Sequence, residues 1–387
     1  MRTIARVLVG TILLVQLVAA FRVIARLVRT GRGESIAPAG SRPRDLGSVA
    51  VIVPVLNEET RLSPCLDGLA LQGEEVREIL VVDGGSSDGT VALARGWVER
   101  DGRIRLIDAS PVPGNWNGKP WGLHVGLEHV DDDVRWILTV DADVRPGSDL
   151  VSSLLAHAET RDLRVMSVAT PQRVSGAAEA AVHTSMLASL VYRYGIPGHA
   201  YDRPDDVQAN GQCFLIDRRT LQQVGGFAVV ARSVVEDVTL ARRCASMGIP
   251  VGFYEPDRSA AMVTVEMYTG WYDALNNWSR SLPMRDRRSG ITWWMRMVDM
   301  AATQAMPVLA LAVTARWRSI PFRSLVLRLN IGLVVMRLGT QAGMARAYID
   351  LPRLHWLAVV FDPIAVTVIL IQSQRREHRW RGRVVRW

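Results

Sequence analysis

The sequence predicts an α/β chain whose mainly parallel, helix-covered sheet is flanked by membrane helices. Three observations carry this. Continuous apolar strands alternate with amphipathic helices from residue 48 onward. Acidic residues stand at or just beyond the C-terminal ends of those strands, the edge at which open α/β sheets bind ligands. Long apolar runs flanked by arginines lie near both ends of the chain. At 387 residues the chain can hold one large domain or two smaller ones. A mean hydropathy of +0.11 is high beside 22% charged residues, and fits membrane segments attached to a globular part. Much of the formal net charge of +8 sits at the two ends, beside apolar runs, which favours anionic lipid over nucleic acid. The three cysteines, Cys65, Cys213 and Cys244, are scattered, with no Cys/His metal spacing. A reduced compartment without a disulfide framework is the default.

Residues 7–21 are apolar except Gln16, and apolar character continues to Val28 with Arg22 and Arg26 interrupting it. This reads as an N-terminal transmembrane helix within 1–30, its basic end snorkelling into the headgroups. Arg22, Arg26, Arg29 and Arg32 follow the run, against Arg2 and Arg6 before it. The positive-inside rule then places the following domain in the cytoplasm, at the cell's inner membrane. Residues 31–47, rich in Gly, Pro, Ser and Arg, read as a linker.

The domain expected over 48–265 opens with strand 49–55, helix 58–71 and strand 78–82, then helix 90–99 with Ser87-Asp88 as its cap. Strand 104–107, helix 118–129 and strand 135–140 follow, then strand 164–169 and helix 177–194. A strand ending at Ile216, helix 218–224 closed by Gly225-Gly226, a helix opened by Glu236-Asp237 and strand 251–254 complete it. Residues 266–298 are amphipathic, with Trp271, Tyr272, Trp278 and several arginines, and suit a membrane interface. A membrane region over 299–374 offers two spans, 301–315 and 354–372. Residues 331–335 stay open between a third span, a re-entrant piece and an interfacial helix. A basic tail, 375–387, is expected in the cytoplasm, and two spans satisfy the parity this requires.

The chemistry centres on Trp136–Val140 and the acids it delivers, Asp141 and Asp143. In extended chain these two carboxylates share a face. A hard divalent ion, its shell completed by phosphates, is one way to hold them together; a solvated turn with N-cap acids is the other. Asp83 ends another strand before a run with three glycines, 84–89, which lets backbone approach a base or ribose; the same residues also suit a tight turn. Lys119 at a helix start opposes the helix dipole and invites an anionic partner, or is a plain surface lysine. Glu236 and Asp237 at a helix start are comfortable without any function. His124 and His199 have no partner by spacing and read as structural.

Six stretches in order, VIVPVLNEE, VVDGGSSDGT, NWNGKPWGLHVG, LTVDADVRP, ANGQCFLIDR and VEDVTLARR, resemble the family 2 glycosyltransferases. The resemblance implies a GT-A fold, a Rossmann-like mainly parallel sheet. It also implies a nucleotide-diphosphate sugar donor and a divalent cation, Mg²⁺ or Mn²⁺. It places Pro54, Asn57, Glu58 and Asp83 along the nucleotide pocket and Lys119 near the nucleotide or diphosphate. Asp141 and Asp143 match the DxD motif, with Asp143 on the metal and Asp141 supporting it and the donor. Asp237, with Glu236, matches the ED motif that supplies the general base of an inverting transfer. Asn210, Gly211, Gln212 and Trp278 would lie on the acceptor side. The QxxRW motif of processive synthases is broken, since Ala274 and Asn277 stand where Gln and Arg would. This favours transfer of a single sugar, to a lipid acceptor, and the NWNGKPWG loop resembles carotenoid and hopanoid pathway glycosyltransferases. A nucleotidyltransferase-like enzyme and a catalytically silent membrane scaffold are the alternatives.

Overall fold

The computed structural model describes residues 2–39, 46–258, 261–284, 290–375, 377–380 and 383–386. Parts of the linker expected at 31–47, of the interfacial segment at 266–298 and of the basic tail at 375–387 lie outside the described residues. The chain forms two compact units, a sheet unit (Gly33–Gln172, Pro197–Met267 and Arg376–Trp387) and a helical unit (Met1–Arg32, Arg173–Ile196 and Tyr268–Arg375).

In chain order, α1 (Arg2–Thr30) precedes the short β1 (Ser35–Ile36). Then come β2 (Val49–Val55), α2 (Leu62–Ala70), β3 (Val76–Asp83), α3 (Thr90–Val98) and β4 (Ile104–Asp108). Next are α4 (Gly118–Glu128), β5 (Trp136–Val140), β6 (Val144–Pro146), α5 (Leu150–Thr160), β7 (Val165–Val168) and β8 (Gln172–Arg173). The chain continues through α6 (Ala177–Tyr194), β9 (His199–Tyr201), β10 (Cys213–Asp217), α7 (Arg218–Val224), α8 (Glu236–Ser246), β11 (Val251–Pro256) and β12 (Val263–Val265). Last come α9 (Trp271–Ser281), α10 (Ile291–Met300), α11 (Met306–Arg316), α12 (Arg323–Met344) and α13 (Ala358–Gln372).

In the sheet unit the strand order is β1-β11-β7-β10-β5-β2-β3-β4, with β9 beside β11. The pairings along that order are parallel except those of β10, which runs antiparallel to both β5 and β7. The sheet is buried on both faces, and side-chain alternation sorts each strand between two cores. Val49, Val51 and Val53 join Leu62, Leu66 and Leu138 on one side. Ala50 and Ile52 join Leu80, Leu123 and Phe214 on the other. Gly126 lets α4 press on the sheet, since a methyl there would sit 2.6 Å from Ile52 Cγ2. The residues expected to form a free linker include β1, whose Ser35 and Ile36 register with Glu255 and Pro256. Two residues are too short to leave a periodicity in the sequence.

Among the described residues the helical unit contains four helices long and apolar enough to cross a membrane, Arg2–Thr30, Ile291–Arg316, Arg323–Ala347 and Arg353–Gln372. Arg323–Ala347 and Arg353–Gln372 fall within the expected membrane region 299–374, whereas Ile291–Arg316 begins inside the segment 266–298 expected at the interface. The helix α6 belongs to this unit and not to the continuous domain expected over 48–265. Its burial explains why: Thr184, Ser189 and Arg193 are buried and bond carbonyls of α6 itself, whereas the buried Ser185 takes its partner from another helix of the unit. Ser185 Oγ donates to Asp362 Oδ1 at 2.5 Å, and Gln304 Nε2 donates to the Ser185 carbonyl at 2.8 Å. Arg337 closes the same network with Asp362 at 2.8 Å.

Candidate active site

The loops after β2 and β3 are tied into one rim. Asn57, at φ 56°, donates its backbone N–H to Ser86 Oγ at 2.9 Å and accepts from the Ser87 N–H at 2.8 Å. The Glu58 N–H donates to Thr90 Oγ1 at 2.8 Å. Asp83 closes its own turn: its carboxylate accepts from the N–H groups of Gly85 and Ser86, both at 3.0 Å, and from Ser86 Oγ at 2.5 Å. Of the two readings of Asp83, these bonds are those of the tight turn. Pro54 lies in β2 opposite Val82, packed under Gly122 of α4.

Of the two readings left open for Lys119, an anionic partner or a plain surface lysine, the structure supplies anionic partners from the chain itself. Its Nζ lies 2.7 Å from Asp141 Oδ1 and 2.8 Å from Glu236 Oε1. Burial alone would lower the lysine's pKa, but the carboxylates of Asp141, Glu236 and Asp237 overcome this and raise it, so the side chain is held as an ammonium. The first turns of α4 and α8 thus meet the end of β5 at one charged hub.

Gly211 is the centre of that hub. A methyl group there would stand 2.8 Å from Lys119 Nζ and 3.2 Å from both Asp237 Oδ2 and Glu236 Oε1. The neighbouring residues hold this backbone in place. Asn210 N–H donates to Ser167 Oγ at 2.7 Å, Asn210 Nδ2 donates to Gln212 Oε1 at 2.9 Å, and the Asp141 N–H donates to the Gln212 carbonyl at 3.2 Å. Asn210, Gly211 and Gln212 therefore lie beside Asp141, Glu236 and Asp237. Thr170 and Gln172 complete the polar knot through Gln212 Oε1. Neither carries a spacing signal in the sequence, so sequence reasoning missed both. Trp278 is in the helical unit, its ring 4.6 Å from that of His183.

Burial, then Asp141 and Glu58, pushes the Asp143 carboxyl up to about 7. Its Oδ1 is buried without a hydrogen-bond partner. Asp237 also rises to about 7, through burial and then Glu236, with Lys119 opposing. The apolar side chains of Leu123, Phe214, Phe227 and Leu240 line a small cavity against it. A buried carboxylate oxygen without a donor is what a divalent cation would satisfy. No group of three or more His, Cys, Asp or Glu converges among the described residues, so most of the coordination shell would come from phosphate oxygens and water. That division suits Mg²⁺ or Mn²⁺ carried with a nucleotide.

A doubly covered sheet with its acids gathered at the strand ends is a framework on which open α/β enzymes bind their ligands. Residues 50–225 match the family Glycosyl transferase family 2, so the chain carries a family 2 glycosyltransferase domain and is a glycosyltransferase. It is 23% identical over 348 residues to 4,4'-diaponeurosporenoate glycosyltransferase of Staphylococcus aureus (strain USA300), a carotenoid-pathway enzyme, covering 87% of this chain and 88% of that one. Its fold matches a mannosyltransferase of Pyrobaculum calidifontis, solved with GDP-Man and Mn²⁺, at a TM-score of 0.57 and 19% identity, covering 96% and 98% of the two chains.

Proposed function

We propose that this glycosyltransferase is an inverting, divalent-cation-dependent enzyme. It would move a single sugar from a nucleotide-diphosphate sugar to a lipid hydroxyl or carboxyl at the membrane. The observation that carries the reading is the hub around Gly211, where Lys119, Glu236 and Asp237 converge and Asp141 pairs with Lys119. The glycosyltransferase of Staphylococcus aureus, named for 4,4'-diaponeurosporenoate, supports an apolar, isoprenoid-type acceptor.

In this reading Asn57, Glu58 and the Asp83 turn face the nucleotide, with Pro54 behind them. Asp143 would hold the cation and Asp141 would support it, supplying charge neutralisation for the leaving diphosphate. Asp237 accepts the acceptor's proton, and a carboxyl poised near 7 suits a general base at neutral pH. The acceptor oxygen then bonds to the anomeric carbon as the bond from that carbon to the diphosphate breaks, and the configuration inverts. Lys119 and Glu236 orient Asp141 and Asp237 through their ion pair. Gly211 leaves room for the acceptor oxygen, while Asn210 and Gln212 fix its backbone. Trp278 remains a candidate acceptor contact by resemblance alone.

The sheet unit would face the cytoplasm at the inner membrane, because the arginines at the end of α1 follow its apolar stretch. A basic tail on the same side requires an even number of C-terminal crossings. One of the three apolar C-terminal helices would then run along the membrane.

The test is a panel of nucleotide sugars offered with Mn²⁺ and membrane lipid extract, read by mass spectrometry. One sugar should appear on one lipid, with nucleoside diphosphate released. Release of pyrophosphate would favour a nucleotidyltransferase, and no cation-dependent turnover with any donor would favour a silent scaffold. Asp143→Ala and Asp237→Asn should each abolish transfer; full activity in either removes that residue from its role.

A further inference from the structure

Around His183 of α6, four buried side-chain atoms have no hydrogen-bond partner among the described residues: both ring nitrogens of His183, Glu179 Oε1 and Tyr348 Oη. Glu179, His183 and Tyr348 are only 2%, 1% and 2% exposed, so bulk water does not reach them. Glu179 and His183 stand one turn apart on the same face of α6, with Nε2 4.0 Å from Oε1, too far for a hydrogen bond. The other oxygen of Glu179 is taken. Its Oε2 accepts from the Ser175 N–H at 3.0 Å and from the Ser175 hydroxyl, which fixes the carboxylate. Aromatic rings close the cluster. The centroids of Trp278, Tyr268 and Tyr348 lie 4.6, 5.5 and 6.1 Å from that of the imidazole. All of these residues belong to the helical unit.

Buried polar groups normally find partners, and each exception costs free energy. The unmet needs define what would meet them. Burial pushes the imidazole of His183 down to about 3, so the ring is neutral, with one N–H donor and one acceptor nitrogen. Glu179 Oε1 needs a donor, the His183 N–H needs an acceptor, and the Tyr348 hydroxyl can act as either. A carboxylate or phosphate ligand brings like charge to Glu179. An ammonium has nothing to accept from His183. A hydroxyl donates once and accepts twice, and meets each need. Water has the same ability, but the aromatic walls suit a hydroxyl carried on an apolar body. Trp278 is only half-buried, and Trp271 and Tyr272 on the same helix, α9, are exposed, as aromatic residues at a membrane interface are.

We infer that Glu179, His183 and Tyr348, walled by Trp278, form a binding site for the hydroxyl of a membrane lipid alcohol. The lipid hydroxyl donates to Glu179 Oε1 and accepts from the His183 N–H, and its apolar chain lies along Trp278.

The experiment places the purified full-length protein in phosphatidylcholine nanodiscs with dodecan-1-ol, dodecanoate or dodecane, without donor sugar. Thermal midpoints and the probe retained in native mass spectrometry are read. The wild type should retain dodecan-1-ol selectively and gain thermal stability from it. Tyr348→Phe and Glu179→Gln should each weaken that retention about tenfold. Tyr272→Phe, which removes an exposed hydroxyl from α9, should leave it unchanged. Without probe, Tyr348→Phe should melt no lower than wild type, because the hydroxyl it removes has no partner. A clearly lower midpoint in that variant would show the hydroxyl to be a structural bond, and the site would fall. Equal retention of the three probes, or unchanged retention of dodecan-1-ol in both site variants, would overturn the proposal and leave these atoms to water. Glycerol should not reproduce the stabilisation; if it does, the site takes a free polyol and the lipid assignment falls. Because no transfer is measured, these outcomes are independent of the proposed catalytic reading.

Discussion

Two charge networks in this chain, one buried and one part-buried, look alike in composition and differ in completeness. In the helical unit, Arg337 bonds Asp362 at 2.8 Å and Gln341 Oε1 at 2.5 Å, while Ser185 and Gln304 bond the same Asp362. Both Asp362 oxygens are engaged. In the sheet unit, Asp143 keeps a buried oxygen with no partner, and Asp141, Glu236 and Asp237 share Lys119. This closed network leaves no carboxylate oxygen unpaired, although Gln304 Oε1 has no partner, and it is a fastening between helices. The open one carries a cost that only a ligand would offset, and such uncompensated sites are where function is expected.

Breaking the closed network should give the largest loss of stability. Arg337→Met leaves Asp362 charged and unpaired in the interior, at a cost of about 3–5 kcal/mol. The double variant Arg337→Met/Asp362→Leu should regain most of it. Detergent-solubilised thermal midpoints check this, and a double variant no more stable than the single one would show that the pair does more than fasten.

Crowding the open network should affect catalysis far more than folding. Gly211→Ala pushes a methyl against Lys119 Nζ, the movable end of a flexible side chain. The protein should fold with a nearly unchanged midpoint while kcat/KM falls by on the order of tenfold or more, as misplaced catalytic groups imply. An equal loss of stability and turnover would mean that the glycine serves packing alone.

The smallest expected effect concerns pH. The carboxyls of Asp143 and Asp237 sit near 7 when folded, above the ordinary carboxyl value of about 4. Between those values the folded chain binds more protons than the unfolded one, so both groups make stability fall as pH rises from about 4 to about 7. Asp143→Asn removes one of these penalties. It should raise the ligand-free stability at pH 8 by on the order of 2 kcal/mol, read as a higher thermal midpoint, and change it little at pH 4. A variant less stable than wild type at pH 8 would contradict this.

Much of the sheet unit was legible because buried parallel strands leave continuous apolar runs, and helices 177–194 and 218–224 match α6 and α7 residue for residue. What escaped was set by long-range pairing. Nothing local marks β10 as antiparallel, or Ser35–Ile36 as an edge strand of the sheet. The acids at the strand ends were visible as types, and the dipole argument left an anion beside Lys119 as one of two open readings. That this anion would be Glu236, distant in sequence, depends on α4 and α8 starting at the same edge. The membership of α6 in the helical unit was hidden for a related reason. Its amphipathic pattern shows a helix, while its buried Ser185 finds its partner in Asp362, near the other end of the chain.

The claim that an open buried carboxylate marks the donor site is tested most directly by calorimetric titration of a nucleoside diphosphate into the full-length protein. Wild type, Asp143→Asn and Asp362→Asn would be titrated with and without Mn²⁺. The account predicts binding that needs Mn²⁺ in the wild type, is lost in Asp143→Asn, and survives in whatever fraction of Asp362→Asn folds. Nucleotide binding by Asp143→Asn with the affinity and Mn²⁺ dependence of the wild type would contradict it.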